Sequence, residues 1–438
     1  MATLGILRLR FLGLLVLLAM ALVFLAAPRA RADAVVAWGQ NEVGELGNGT
    51  TNINPNPTPG AVTGMSIGVT AITAGGGHGL ALQNGGLYAW GDNSYGQLGN
   101  GTTINSSTPV ALTGVLSSGV TAIAAGGGDS FALQNGGLYA WGSNGVGELG
   151  NGTTTDSHSP VALTGVLSSG VTAIAAGGAH SLAVQNAGLY AWGYNSNGQL
   201  GNGTTTSSTT PVALTGVLSS GVTSIAAGTR YSLAVQNGGL YAWGNNRAGQ
   251  LGNGTTTDSN TPVALTGVLS SGVTAIAAGG DDRINTHTPD TYYSLAVQNG
   301  NVYAWGDNVS GQLGDGTTTN RLTPEEIDPT DLYNIVSVAA GHDSSYALCS
   351  DGSLWVWGDN GWGQLGLGTS TTDYLTPQQL LPPSGYVYTS ISANFGGYFA
   401  LATLEAVREP TSLSLLALGL LPLLARPRRS RSRNVRAA

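Results

Sequence analysis

Gly86-Leu87-Tyr88-Ala89-Trp90-Gly91, followed by Gly96-Gln97-Leu98-Gly99-Asn100-Gly101-Thr102, is the stretch on which the fold turns. The first piece alternates as a strand does, and the second is a glycine-rich turn. Further along the same copy, Pro109 to Leu112, Val120 to Ala125 and Ser130 to Gln134 read as short strands separated by Gly and Ser. Working outward, a Trp-Gly pair recurs at Trp38, Trp90, Trp141, Trp192, Trp243, Trp305 and Trp357, with spacings of 52, 51, 51, 51, 62 and 52 residues. Each of the seven copies supplies about four strands, a sheet too small to bury its own faces, so the copies must stack. Radial stacking into a closed ring leaves only short edges exposed, which predicts an all-β, seven-bladed propeller.

The ends of the array predict how the ring closes. The body begins abruptly at Ala34-Val35-Val36-Ala37-Trp38-Gly39, with no strand pair before it. It ends with Thr389 to Leu401, which matches the segment that precedes Leu-Tyr-Ala-Trp-Gly in the internal copies. The N-terminal strands are therefore expected to complete the blade begun at the C-terminus.

The string Leu-Tyr-Ala-Trp-Gly, then Gly-Gln-Leu-Gly-Asn-Gly-Thr, then Ile-Ala-Ala-Gly followed by His-Ser-Leu-Ala, strongly resembles the RCC1 (regulator of chromosome condensation) repeat. The resemblance runs through all seven copies and implies a seven-bladed propeller used as a binding platform. The founding member's role on chromatin, as an exchange factor for a small GTPase, does not carry over, because a fold does not fix a function.

Composition excludes several partners. Between Asp33 and Glu405 there are 22 acidic residues against four arginines, Arg230, Arg247, Arg283 and Arg321, a formal balance of −18, and the chain has no lysine. Phosphate backbones are held by clustered Lys and Arg, so nucleic acid is not expected as a partner, nor is an anionic membrane surface. The single cysteine, Cys349, rules out an internal disulfide and reads as a buried strand residue.

Both ends read as addresses. Arg8 and Arg10, the apolar run Phe11 to Ala27 and Ala30-Arg31-Ala32 before Asp33 have the order of a signal peptide spanning 1–32, a substrate for signal peptidase. The apolar run is also near the lower limit for a spanning helix, so an uncleaved anchor is the alternative. After the propeller, 33–405, the segment 406–438 holds Arg408-Glu409-Pro410, an apolar stretch from Leu413 to Ala425, and Arg426, Arg428, Arg429, Arg431 and Arg433. Basic residues after an apolar helix hold that end on the cytoplasmic side. The order resembles the PEP-CTERM sorting tail of exported bacterial proteins. That resemblance implies recognition by an exosortase, a cell-surface or extracellular location, and membrane contact only through the terminal segments. Arg408 stands where the first proline belongs, and an ordinary C-terminal anchor is the alternative.

No residue set reads as catalytic, and neither cofactor nor metal is expected. Asn48, Asn100, Asn151, Asn202 and Asn253 match a glycosylation acceptor, but Asn-Gly is first a turn former, suited to positive φ. His78, His180 and His342 fall at what reads as one repeat position, shared with Asp129, Tyr231 and Phe395, and such a varied set suits turn bonding rather than a ligand sphere. The recurring tryptophans read as packing between blades, and Trp362, outside that position, as an exposed aromatic. The 62-residue spacing carries an insertion placed within Gly280 to Tyr292. Its Asp281, Asp282, Arg283, His287 and Asp290 form a candidate binding loop, with donors suited to a hard cation or simply solvated. The middle copies are nearly identical over Pro-Val-Ala-Leu-Thr-Gly-Val-Leu-Ser-Ser-Gly-Val-Thr, which suggests repeated contact rather than an asymmetric site. The expected function is noncatalytic binding of a surface protein or polysaccharide through a propeller face. The alternative is an extracellular propeller hydrolase or lyase acting on glycans.

Overall fold

The computed structural model describes residues 34–281, 291–327, 332–393 and 396–407. The signal and sorting segments, including Arg408, Glu409, Pro410, Arg426, Arg428 and Arg429, lie outside the described residues, as do Asp282, Arg283, His287, Asp290 and Phe395. Among the described residues no helix is long and apolar enough to cross a membrane.

Seven antiparallel four-stranded sheets form the ring. Blade 2 is typical, running outward from Val69–Ala74 through His78–Gln83 and Gly86–Gly91 to Ser106–Ala111. Blades 3 to 7 repeat this order from Val120, Val171, Val222, Val273 and Ile335. Blade 1 is built from both ends of the chain, as the sequence predicts: Tyr386–Ala393 pairs with Phe399–Ala406, which pairs with Ala34–Asn41, which in turn pairs with Asn52–Ala61.

Each blade interface holds its own core. The seven repeat tryptophans are fully buried, each in a cluster drawn from two neighbouring blades. Each indole N–H donates to the backbone carbonyl of a Gln or Glu one blade earlier, as from Trp192 to Glu148 at 2.7 Å. Trp38 makes the same bond to Gln364 at 2.7 Å, so the seam carries the interaction found at every covalent junction. Cys349 is buried in the strand Ser344–Cys349.

The turns carry one correction. Asn48 does not adopt positive φ; Gly49 does, at 85°. The Asn48 carboxamide oxygen instead accepts from the Thr50 amide at 3.0 Å and hydroxyl at 2.7 Å, a side-chain-closed turn. The positive-φ asparagines, apart from Asn334 before the strand that starts at Ile335, sit at the hairpins of the second and third strands, as at Asn84 (φ 51°) before Gly85 (φ 81°). A second set, which sequence reading passed over, is fully buried. In Asn93 the carboxamide oxygen accepts from Leu98 N at 2.9 Å, and the amide group donates to the Thr102 and Ile104 carbonyls, both at 3.0 Å.

Candidate functional site

The loops joining first to second strands and third to fourth strands open on the same face, around a funnel of about 880 Å³. The first-to-second-strand loops are three residues long in most blades. Their second residue is usually glycine for a steric reason: a Cβ on Gly76 would lie 2.6 Å from the Gly127 carbonyl oxygen of the next blade. Backbone bonds tie these loops into a collar, Gly76 N to Gly126 O at 3.0 Å and Gly178 N to Gly228 O at 3.2 Å. The third residue is free to vary, and it is Gly77, Gly128, Ala179, Arg230, Asp281, Asp343 and Tyr398 around the ring. The collar itself is therefore bare on one half, where third-to-fourth-strand loops supply Asp92, Ser94, Val146 and Tyr194 to the wall, and carries its own side chains on the other half.

Those side chains converge on His342. Its ring is buried, Nδ1 donates to Asp343 Oδ2 at 2.9 Å, and Nε2 lies 2.9 Å from the Tyr398 hydroxyl and 3.5 Å from Asp281 Oδ2. The Tyr398 ring stacks on it at 4.4 Å between centroids, and Trp362 lies 6.2 Å beyond Tyr398. Burial alone would lower the pKa of His342, but bonds to Asp281 and Asp343 and their charges outweigh it and raise it to about 9. His342 is thus a cation at neutral pH, with Nε2–H directed at the Tyr398 oxygen. Behind it, Gln312 bridges Asp343 at 3.2 Å and Asp307 at 2.9 Å. Burial, reinforced by the charge of Asp343, raises Asp307. A protonated, buried imidazole capped by a tyrosine has no basic lone pair to offer as a general base, and its bonds to Asp343, Tyr398 and Asp281 tie three loops of the wall together.

The strand register corrects the reading of the histidines. His78, Asp129, His180, Tyr231, Tyr293, Ser344 and Phe399 occupy one position, each opposite the glycine of a Trp-Gly pair. His342 is two residues earlier, in the loop, and the last blade fills the position with Phe399 rather than Phe395. His78 and His180 do bond between blades as a structural role requires. Ser130 Oγ donates to Gln97 O at 2.8 Å, so it accepts from His78 Nε2–H at 2.9 Å. Burial lowers the pKa of His78 to about 4 and that of His180 to about 3, and both rings are neutral.

Of the predicted binding loop, Asp281 is placed at the end of the strand Val273–Asp281, on the funnel wall, and the other four residues are not described. Trp362 is half-buried at the rim of the same face. Among the described residues no group of three or more His, Cys, Asp or Glu is placed to hold a metal. The sequence reading missed the acidic mouth: Glu42 and Asp92 line it with the buried Glu45, against Arg230, whose guanidinium lies 6.0 Å above the Tyr194 ring. The loop position that changes from copy to copy signals Arg230 and Asp281, whereas Glu42 and Asp92 come from third-to-fourth-strand loops.

The RCC1-like domain model matches residues 24–284, and the RCC1 repeat model matches 299–348 and 351–403. The chain belongs to the RCC1-like family. Among its RCC1-like relatives, the ultraviolet-B receptor UVR8 of Arabidopsis thaliana is 31% identical over 77% of this chain and 76% of the receptor. The human E3 ubiquitin-protein ligase HERC2 is 31% identical over 72% of this chain, which spans only 6% of that protein. Of solved structures, human WBSCR16 superposes with a TM-score of 0.73 at 25% identity, over 86% of this chain and 99% of its own. Prp20p of Saccharomyces cerevisiae reaches 0.75 at 22% identity, over 90% and 96%, a likeness of fold.

Proposed function

We propose that this RCC1-like propeller is an exported, noncatalytic binding protein of the bacterial surface or matrix, and that its acidic funnel seats a basic segment of a protein partner. The observation that carries this reading is the funnel itself, about 880 Å³, with Glu42, Asp92 and Asp281 at its wall against Arg230. Complementary charge of this kind steers association and sets specificity. The Arabidopsis relative, which aligns over most of both chains, is named as a receptor, and a binding role fits that name. Export rests on the signal-peptide order of 1–32, removed by signal peptidase. The PEP-CTERM-like order of 406–438 supports sorting by an exosortase.

The test pairs two measurements. Mass spectrometry of the protein recovered from its native surface should give a product starting near Asp33 and ending near Arg408; retention of Leu413 to Ala425 would overturn exosortase processing. For the funnel, a partner captured by the wild type should elute with salt and be lost on Glu42→Arg with Asp92→Arg. It should be kept on Asp351→Arg, a single charge reversal of the same kind at a hairpin between second and third strands. Equal capture by all three would overturn the funnel as the docking face.

A further inference from the structure

A second cavity, of about 680 Å³, lies at the outer edge of the propeller between blades 6 and 7, with Trp355, Gln379, Gln378, Glu325 and Arg321 in its wall. Cross-strand register shows how this junction departs from the others. In blades 2 to 5 the pairs Tyr88–Ala111, Tyr139–Ala162, Tyr190–Ala213 and Tyr241–Ala264 occupy the place of Trp355–Gln379. Glu325 pairs with Ala304, at the place of Val110, Val161, Val212 and Val263. Relative to blades 2 to 5, Trp355 replaces Tyr, Gln379 and Glu326 replace Ala, and Gln378 and Glu325 replace Val, all in the wall of this one cavity. Trp355 packs against the core of blades 6 and 7 and is half-buried, so its ring is held and part of it faces the groove.

We infer that this groove binds a neutral hexose oligosaccharide, with a sugar ring stacked on Trp355 and its hydroxyls bonded by Gln379 and Glu325. A fixed aromatic plane offers an apolar surface to the C–H face of a pyranose, and carboxamide and carboxylate groups donate and accept in the plane of the ring. The volume suits a few sugar units. Among the described residues the only cation in the wall is spent within the protein: Arg321 holds Asp315 through Nε at 2.8 Å and lies 3.8 Å from Glu325. The remaining charge is negative, which disfavours uronic-acid chains. The groove is separate from the funnel, and the inference holds whatever the funnel seats.

The test titrates the full chain with neutral gluco-, manno- and galacto-hexasaccharides and with an alginate hexamer, read by calorimetry and tryptophan fluorescence. At least one neutral series should bind at one site per chain, and alginate should not. Trp355→Leu, which keeps an apolar side chain on the core, should weaken binding about tenfold or more. Gln379→Ala, at an exposed position, should also weaken it with the fold intact. Trp362→Ala and the Glu42→Arg, Asp92→Arg pair, both on the funnel, should leave it unchanged. Failure of every neutral series to bind, preferential binding of alginate, or binding that survives both groove variants would overturn the inference.

Discussion

Asp129 stands where His78 and His180 bond to the next blade, and its shorter side chain leaves both carboxylate oxygens buried without a hydrogen-bond partner. Burial, with the nearby charge of Glu148, raises its pKa well above the ordinary carboxylate value. An acid raised on folding loses stability as pH climbs past its unfolded pKa. Asp129→Asn should therefore stabilise the protein at pH 7 by about 1–3 kcal/mol, a gain that shrinks as pH falls towards about 4, in denaturant melts at both values. His342 has the opposite chemistry but a window that is lost in the same direction. A histidine raised to about 9 contributes stability fully below about 6.5 and loses it as pH rises through 9. Wild-type melting temperature should fall across that range more steeply than that of His342→Gln, and parallel curves would contradict the Asp281–His342–Asp343 arrangement. Ala187, at φ 62° in a hairpin where other blades have glycine, bears local strain. Ala187→Gly should raise stability by about 0.5–1 kcal/mol, read as a shift of the denaturation midpoint.

Most of the blade was legible in the sequence, because strands of a repeat announce themselves by alternation and by the glycines between them. The strand Gly86–Gly91 and the inner strand Val120–Ala125 fall where the alternation places them. The loop register was not legible. Gly341-His342 resembles Gly77-His78 as a string, but three residues bridge first to second strand, so a histidine after a single glycine belongs to the loop. Pairing partners, which a single sequence does not display, decide the point. The groove at Trp355 was hidden for the same reason, since Trp355 and Gln379 are neighbours only through cross-strand pairing and Glu325 meets them only across the junction of blades 6 and 7. The buried asparagines escaped notice because a polar residue before a glycine turn reads as loop. Asn195→Ala would leave the Leu200 amide, bonded at 2.9 Å, and the Thr204 and Thr206 carbonyls without their partner. A cost of about 1–3 kcal/mol is expected in thermal or chemical melts, against little change for the exposed Asn202→Ala bond set.

Ring closure follows from sequence because the two ends of the array are complementary fragments of one repeat. The structure shows how tight the seam is: Ala34–Asn41 pairs with Phe399–Ala406 over six consecutive residue pairs, and Trp38 reaches Gln364 as its counterparts reach their own partners. Trp38→Ala and Trp192→Ala should then cost similar amounts, about 3–5 kcal/mol each, and a markedly cheaper Trp38 change would show a loose seal. What the sequence did not display is the asymmetry of the completed ring. Near-identical repeats suggested repeated contact, yet the collar carries side chains on one half only, and the acidic wall adds Glu42 and Asp92 from the third-to-fourth-strand loops. Photo-crosslinking in the native host tests that claim most directly, with a benzophenone side chain placed at the exposed funnel residue Ser94 or at the exposed Val115 in the turn between blades 2 and 3. The funnel account predicts a discrete protein adduct from Ser94 that weakens with Glu42→Arg, whereas an adduct from Val115 with none from Ser94 would contradict it.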